Sequence, residues 1–152
     1  MGNYEAAIEQ FEKGLRYKQK KSVKTRIYFI MGQLYQKQGL LKEASSHYQK
    51  VLKLNPPYEM SFNARINLAR CYDSKSGKSK NIRKELEKML KDDKNKEYVD
   101  QICYALAEIE LKEKDSLKAI DYLKLSVEGS INNKYQKGLS YLRLGEIYFE
   151  KP

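Results

Sequence analysis

The chain has 152 residues, of which 41% are hydrophobic, a length and composition typical of a single globular domain with its own core. Its 30 Lys and Arg residues against 20 Asp and Glu residues give a net charge of +10. No apolar run approaches the ~18 residues of a membrane-spanning helix, and the basic residues are interspersed with acidic ones, as on solvated helix faces. Composition therefore argues against a membrane span and against a nucleic-acid platform, whose stacking aromatics would be grouped with the charge.

Hydrophobic periodicity predicts eight helices and no strand. In chain order we expect them at residues 3–18, 23–38, 41–54, 58–73, 79–92, 97–113, 116–128 and 133–150. Gly39 is placed to end the second helix and Asp115 to cap the seventh, whereas the pair Pro56-Pro57 separates the third from the fourth. The polar segment 74–80 is expected to be a loop. Because the connections are short, neighbouring helices are predicted to be antiparallel.

A short motif recurs along the chain at a nearly constant spacing, which indicates internal repetition. Its four copies are Tyr28-x-x-Met31-Gly32-x-x-Tyr35, Arg65-x-x-Leu68-Ala69-x-x-Tyr72, Cys103-x-x-Leu106-Ala107-x-x-Glu110 and Tyr141-x-x-Leu144-Gly145-x-x-Tyr148. The small residues of successive copies are 37, 38 and 38 positions apart. A second motif, with a bulky residue four places after its first residue, falls between the copies at Ala7 and Phe11, Ala44 and Tyr48, Ile82 and Leu86, and Ala119 and Leu123. Each period therefore holds two helices. In the first pair we expect Gly32 to face Ala44.

The order of these residues resembles the tetratricopeptide repeat family, whose pattern is W-x-x-L-G-x-x-Y, then A-x-x-x-F, then Pro. The resemblance implies an all-α fold, a right-handed superhelix of about eight helices paired antiparallel. It divides the chain into the second helix of a truncated repeat at 1–19, three repeats at 22–56, 58–93 and 97–130, and the first helix of another truncated repeat at 133–152. The chain departs from the family in its period, which exceeds the usual value of about 34 residues, and in lacking the leading Trp.

The first and last helices each carry half of the repeat pattern. The first has only the second-helix motif, with Ala7 and Phe11, and the last has only the first-helix motif, with Gly145 and Tyr148. Because repeat arrays need polar capping units at their ends, we expect the chain to be an internal segment of a longer solenoid. The two bare apolar faces are expected to allow self-association between copies.

Residues suited to catalysis or to metal binding are sparse. His47 is the only histidine, so a multi-histidine metal site cannot be assembled, and its position within a helix favours a structural role. The tripeptide Gly77-Lys78-Ser79 resembles the end of a phosphate-binding loop, but Tyr72 occupies the place of the required glycine and no strand precedes it. We therefore expect no enzyme, no cofactor and no metal site.

The resemblance places the binding surface on the first helix of each pair, where side chains three and four positions apart share one face. The residues predicted to line this groove for a protein or peptide partner are Arg26, Phe29, Gln33, Asn63, Asn67, Arg70, Tyr104 and Glu108, with Lys37, Ile66, Gln101, Leu111, Leu142 and Glu146 beside them. Exposed Phe29 and Tyr104, flanked by amides and arginines, would suit an extended or helical peptide. The alternative, that these side chains pack against adjacent repeats, stays open. Acidic chaperone tails, which one subset of the family binds, are not expected, because only Asn67 matches the residues that bind them.

Two stretches are similar, more narrowly, to the tetratricopeptide lipoproteins of the bacterial type IX secretion and gliding-motility machinery. They are KLNPPYEMSFNARINLA at 53–69 and NIRKELEKMLKDDKNKEYVDQICYALAEI at 81–109. This resemblance implies a scaffold in the assembly of the secretion apparatus, and a parent protein anchored by lipid in the outer membrane and facing the periplasm. The signal and lipidated cysteine of such a parent are absent from this chain, as expected for an excised segment. A cytoplasmic adaptor or regulator and a basic solenoid that binds polyanions remain alternatives.

Overall fold

The computed structural model of the protein describes residues 2–77 and 79–150. Within these ranges it contains eight α-helices and no β-strand, which confirms the predicted all-α fold. The helices are α1 (Tyr4–Leu15), α2 (Lys21–Lys37), α3 (Leu41–Lys53), α4 (Tyr58–Arg70), α5 (Ser79–Leu90), α6 (Val99–Lys112), α7 (Ser116–Gly129) and α8 (Lys134–Glu150). None of the helices described has the length and apolar character needed to cross a bilayer. The predicted repeat limits at residues 1 and 152, and Lys78 of the loop tripeptide, lie outside the described residues.

The connections next to α5 differ from the prediction. The segment 74–80, expected to be a loop, contains the 3-10 helix Ser74–Ser76 and the start of α5. The sixth helix, expected from residue 97, begins at Val99 because Asp93–Tyr98 forms another 3-10 helix. The side chain of Asp92 caps this turn by accepting from the backbone N–H of Lys94 at 3.0 Å. Local side-chain caps of this kind compete with regular helix geometry and shift helix starts.

Helices α2 and α6 end in the same way, although their sequences differ at the end. After α2, Gly39 has a φ of 75°, and the backbone N–H of Leu40 donates to the carbonyl of Tyr35 at 3.0 Å. This left-handed C-terminal cap confirms the role predicted for Gly39. After α6, Lys114 takes the same conformation, with a φ of 64°. Asp115 then caps α7, as predicted, by accepting from the backbone N–H of Lys118 at 3.1 Å.

The described chain divides into two compact units. Unit 1 comprises α1 to α4 and ends at Cys71, and unit 2 comprises α5 to α8 and begins at Tyr72. The boundary thus falls between the two helices of the repeat predicted at 58–93. Each unit contains its own hydrophobic cluster.

The core of unit 1 is formed where α3 packs between α2 and α4. Ala44, Tyr48 and Val51 of α3 are fully buried, with 0% exposure each, and Ala64 of α4 packs against them. The closest contact of Gly32 is with Tyr48, four positions after Ala44, rather than with Ala44 itself. A Cβ placed on Gly32 would meet the ring of Tyr48, because the small residue makes room for the aromatic side chain rather than for another small one.

The core of unit 2 is formed by α6, α7 and α8, with Ala107, Ala119 and Leu123 at its centre. Beside it lies a buried polar network. The Oγ of Ser126 donates to the carbonyl of Asp100 at 2.7 Å and lies 2.8 Å from the Oγ of Ser140. These hydrogen bonds connect all three helices, so α8 is held by directional contacts as well as by apolar packing.

Candidate binding surface

The predicted residues of α2 lie at different depths. Arg26 and Gln33 are exposed. Phe29 is half-buried rather than exposed, because the edge of its ring packs on Tyr48, with 5.7 Å between the ring centroids. Lys37 is exposed, and its Nζ lies 5.9 Å from the centroid of the Tyr4 ring, within cation–π range. The exposed surface of α2 is therefore polar and basic, and the aromatic side chains of Phe29 and Tyr48 pack beneath it.

The hydroxyl group of Tyr48 connects three helices of unit 1. It donates to Oε1 of Gln36 on α2 at 2.8 Å and is hydrogen-bonded by the side chain of Asn67 on α4. Burial raises the pKa of this phenol far above its ordinary value, so the group stays protonated and keeps its role as a donor. Asn67 is thus held from beneath by Tyr48, which fixes its amide relative to α2.

The remaining predicted residues of unit 1 lie on α4, where Asn63, Asn67 and Arg70 are half-buried and Ile66 is buried with 2% exposure. Asn63 is separated from Asn67 by four positions and shares its face of the helix. Arg70 is near enough to Tyr48 for its positive charge to favour the phenolate electrostatically, an effect smaller than that of burial. The structure therefore brings Phe29, Asn67 and Arg70 together around Tyr48.

Most of the predicted residues of unit 2 take part in contacts within the unit, whereas Leu142 is exposed. Tyr104 is half-buried and packs against the core of α6, α7 and α8. Glu108 accepts from Nε of Arg143 at 2.9 Å, and Arg143 also donates to Glu146 at 2.6 Å. The hydrogen bond that Arg143 donates to Glu146 and the negative charge of Glu108 both raise the pKa of Arg143. The pair of Glu108 and Arg143 thus connects α6 to α8, and Glu146 holds the guanidinium of Arg143 from within α8.

Two features of unit 2 were not evident from the sequence. Glu110, at the position held by Tyr35 in the best repeat copy, is buried with 1% exposure and accepts from Nε of Arg83 at 2.6 Å. The ion pair connects α5 to α6. Asp100 is also buried, and Ser130 donates to its Oδ2 at 3.2 Å. In the sequence, the ion pair was indicated only by position 110, where a glutamate replaces the tyrosine of the best repeat copy.

Exposed aromatic and apolar side chains form an outer face of α8, opposite the side that packs on the core. They are Tyr135, Tyr141, Leu142, Tyr148 and Phe149, all exposed. Gly145 lies among them, and no atom would contact a Cβ placed on it. The side of α8 that packs on the core is formed instead by Leu144 and Ile147.

The residue types that could bind a metal ion or transfer a proton are His, Cys, Asp and Glu. Within residues 2–77 and 79–150, no cluster of three or more His, Cys, Asp or Glu residues is arranged to hold a metal ion. Nδ1 of His47 donates to the carbonyl of Glu43 at 2.9 Å, and the ring packs near Tyr28 and Tyr35. Burial lowers its pKa, which favours the neutral ring. The surfaces described are suited to binding through hydrogen bonds, charge and apolar contact.

Comparison with known proteins identifies the repeat in two segments. A family model described as the tetratricopeptide repeat matches residues 25–58, and a second tetratricopeptide repeat model matches residues 1–21. The first match covers most of α2, all of α3 and the first residue of α4, and the second contains α1. No curated protein matches the chain.

Proposed function

We propose that this chain, which carries tetratricopeptide repeats at residues 1–21 and 25–58, is a noncatalytic scaffold that binds another protein. In the proposal an extended segment of the partner lies on the surface of α2 and α4 in unit 1. The supporting observation is the hydroxyl of Tyr48, which is hydrogen-bonded to Gln36 and Asn67 at once. A surface held in this way loses little conformational entropy when a ligand binds, which favours affinity.

The side chains on this surface indicate the chemistry of the segment. Arg26 and Lys37 are exposed and basic, and the exposed amide of Gln33 lies between them on α2. An amide side chain both donates and accepts, so it pairs with the N–H and C=O groups of an extended backbone. Arginine binds carboxylates through two parallel hydrogen bonds. The preferred ligand is therefore an extended peptide with at least one acidic side chain.

A random peptide display library selected on the purified chain tests this proposal. Selected peptides are expected to be enriched in Asp and Glu, and binding is measured by fluorescence polarisation. Arg26→Glu is expected to weaken binding about tenfold or more, because it replaces an attractive charge by a repulsive one. Gln33→Ala is expected to weaken it less. Both residues are exposed, so neither change disturbs the core.

Lys124→Glu is the matched control, since Lys124 is exposed on α7 and lies outside this surface. It makes the same reversal of charge and is expected to leave the dissociation constant within about twofold, because an exposed charge that does not contact the ligand is screened by salt. Peptides that bind Arg26→Glu as tightly as the unchanged chain would remove the α2–α4 surface from the proposal.

The net charge of +10 favours a second candidate, a solenoid that binds polyanions. Such binding depends steeply on salt, because each neutralised phosphate releases counterions. A titration of the chain with a fluorescent single-stranded oligonucleotide at increasing salt separates the two functions. Binding that persists at physiological salt and falls steeply above it supports the polyanion candidate, and no binding at physiological salt removes it.

A narrower proposal is a role in assembling the type IX secretion and gliding-motility apparatus. It rests on the similarity of residues 53–69 and 81–109 to lipoproteins of that machinery. Part of the second stretch has a local structural explanation, since Asn95 is buried and its Nδ2 donates to the carbonyl of Met89 at 2.8 Å. The proposal therefore rests mainly on the similarity of residues 53–69.

Under the narrower proposal the parent protein is lipid-anchored in the outer membrane and faces the periplasm, and the rival is a cytoplasmic adaptor or regulator. Affinity purification from the native organism, with membrane and soluble fractions separated first, distinguishes them. Recovery of secretion components from the envelope fraction supports the secretion role. Recovery of soluble regulators alone contradicts it and favours the adaptor.

A further inference from the structure

The outer face of α8 has the residues of a helix-packing face but lacks a helix against it. In α2, Gly32 lies under the ring of Tyr48 from α3, and a Cβ there would be 2.8 Å from Cε1. Gly145 holds the same motif position in α8, yet it is exposed. Tyr141 and Tyr148 flank it with 57% and 53% exposure. A slot of the kind that α3 fills on α2 is open on α8.

Helix α1 carries the matching second-helix motif, but its motif residues are less buried than those of α3. Its Ala7 and Phe11 occupy the motif positions of Ala44 and Tyr48, which are completely buried in α3 between two neighbouring helices. In α1 both residues are only half-buried. The buried side of α1 is marked instead by Ile8, the one residue of this helix that is buried, with 8% exposure.

We propose that α1 of a second copy of this chain packs antiparallel on the exposed face of α8 and completes a tetratricopeptide repeat between the two copies. The relation of α3 to α2 provides the geometry, with Ala7 and Phe11 entering the slot around Gly145. The proposal concerns a surface separate from that of α2 and α4, so it does not depend on peptide binding there.

One pair of side chains identifies α1 as the occupant. Where α3 meets α2, the hydroxyl of Tyr48 donates to Gln36 at 2.8 Å, so both partners are polar. The equivalent residues are Phe11 in α1 and Phe149 in α8, so both partners are apolar. Phe149 has 92% exposure in the single copy. A Tyr facing Phe149 would bury an unpaired hydroxyl, whereas Phe11 leaves no polar group without a partner.

A second pair of residues has the same chemistry in both interfaces, a lysine beside a tyrosine ring. Nζ of Lys50 in α3 lies 5.3 Å from the ring centroid of Tyr28 in α2. The equivalent residues are Lys13 in α1 and Tyr141 in α8. Lys13 now pairs with Glu9 one turn earlier, an exposed ion pair of the kind that contributes little to stability. Lys13 is therefore able to turn to the ring of Tyr141, where cation–π attraction favours it.

Such an interface is heterologous, because different surfaces of the two copies meet. Each copy has one α1 and one α8, so a dimer still has a free face at each end, to which further copies can add. A single helix–helix contact is small, and the association is expected to be weak and concentration-dependent.

Sedimentation equilibrium of the full chain tests this inference, over concentrations on the order of 10 μM to 1 mM that bracket weak association. The weight-average mass is expected to rise about twofold or more above the mass of one chain as the concentration increases. Gly145→Leu is expected to hold the mass at that of a monomer, because the added side chain occupies the place of Phe11. No atom surrounds the Cβ position of Gly145 in the single copy, so this variant keeps its fold.

Two changes in α1 test the other face. Ala7→Arg is expected to abolish association by placing a long cationic side chain at the closest contact. Lys13→Glu, at an exposed position, is expected to weaken it severalfold and remains informative if Ala7→Arg disturbs the circular dichroism spectrum. Ser46→Leu is the control, since it adds the same leucine as Gly145→Leu at an exposed position of α3 and should associate like the unchanged chain.

Mixing the two blocked variants gives the decisive measurement. Gly145→Leu retains its α1 face and the α1 variant retains its α8 face, so an equimolar mixture is expected to form a dimer and nothing larger. Loss of association in both variants with recovery of a dimer on mixing supports the inference. A monomeric unchanged chain over the whole concentration range, association of Gly145→Leu equal to the unchanged chain, or a mixture that stays monomeric overturns it.

Discussion

The ring of Tyr48 lies against Gly32 so closely that a Cβ on Gly32 would be 2.8 Å from Cε1 and 3.0 Å from Cδ1 and Cζ. This contact explains why the repeat motif places a small residue in its first helix. The small residue leaves room for an aromatic side chain, and the hydroxyl group of that side chain then hydrogen-bonds to α2 and α4.

Replacing this glycine by alanine is expected to destabilise the protein. Gly32→Ala must displace the Tyr48 ring, and overpacking of this kind costs about 1–3 kcal/mol, reduced by the gain of about 1 kcal/mol that alanine brings to a helix interior. Gly145→Ala is the matched control, because its Cβ meets no atom and only the helix-propensity gain remains. Urea denaturation should give a lower free energy of unfolding for Gly32→Ala and a higher one for Gly145→Ala. Equal changes in the two variants would contradict the close contact.

Removal of the Tyr48 hydroxyl is expected to loosen the contact between α2 and α4. Tyr48→Phe leaves Gln36 and Asn67 without their shared partner in a partly buried place, at a cost of about 1 kcal/mol. Tyr17→Phe serves as the control, since Tyr17 has 76% exposure, and the free energy of unfolding should stay within about 0.5 kcal/mol. Denaturant titrations followed by circular dichroism measure both. A harmless Tyr48→Phe would show that the hydroxyl does not hold the surface together.

The ion pair between Arg83 and Glu110 is expected to matter more than the exposed pairs. Arg83→Met leaves the carboxylate of Glu110 buried without its partner, and breaking a buried pair in this way costs about 3–5 kcal/mol. Lys13→Met breaks the exposed pair with Glu9 and should change the free energy of unfolding by about 0.5 kcal/mol or less. Thermal and urea unfolding compare them. Similar losses in the two variants would rule out a special role for Glu110.

The left-handed residue at the end of α6 gives an opportunity for stabilisation. Lys114 has a φ of 64°, a conformation that costs a residue with a side chain roughly 1 kcal/mol relative to glycine. Lys114→Gly is therefore expected to raise the free energy of unfolding by about this amount. The reverse change, Gly39→Ala at the equivalent position after α2, should lower it by a similar amount. Urea denaturation measures both variants. A higher free energy of unfolding for Lys114→Gly and a lower one for Gly39→Ala would verify the shared cap, whereas a lower one for Lys114→Gly would contradict it.

The thiol of Cys103 is expected to react slowly. Burial, with a smaller contribution from the carboxylate of Asp100, raises its pKa to about 11 from the ordinary value of 9.0. Because only the thiolate is nucleophilic, its alkylation rate in the folded protein should keep rising up to about pH 11, the raised pKa, instead of levelling near pH 9. Iodoacetamide labelling with peptide mass spectrometry measures the rate, and labelling in urea provides the unfolded control. A plateau near pH 9 in the folded protein would exclude the raised pKa.

Several sequence expectations were met because they depend on local spacing. The 37- and 38-residue intervals located the helix pairs, and Gly39 and Asp115 marked helix ends where the structure has them. Ala44, Tyr48 and Leu123, chosen from the second-helix motif, are all completely buried. In each case the prediction used the 3.6-residue period of a helix or the chemistry of its ends, which a short stretch of sequence specifies.

The groove residues were harder to assign. Phe29 and Tyr104 were expected to be exposed and are half-buried, Phe29 on Tyr48 and Tyr104 on the core of unit 2. Glu108 was expected to face a ligand and is paired with Arg143. Helical periodicity indicates which residues share a face, but the covering of that face depends on side chains more than 12 positions away.

The sequence by itself determined that the chain folds as helix pairs, where most helices begin and end, and which small and aromatic residues form the core. Only the tertiary structure decided that Tyr48 lies on Gly32, that Glu110 is buried with Arg83, and that the face around Gly145 is open. The physical reason is the range of the interactions. Helix formation and capping act within a few residues, whereas burial and pairing depend on which distant side chains the fold brings into contact.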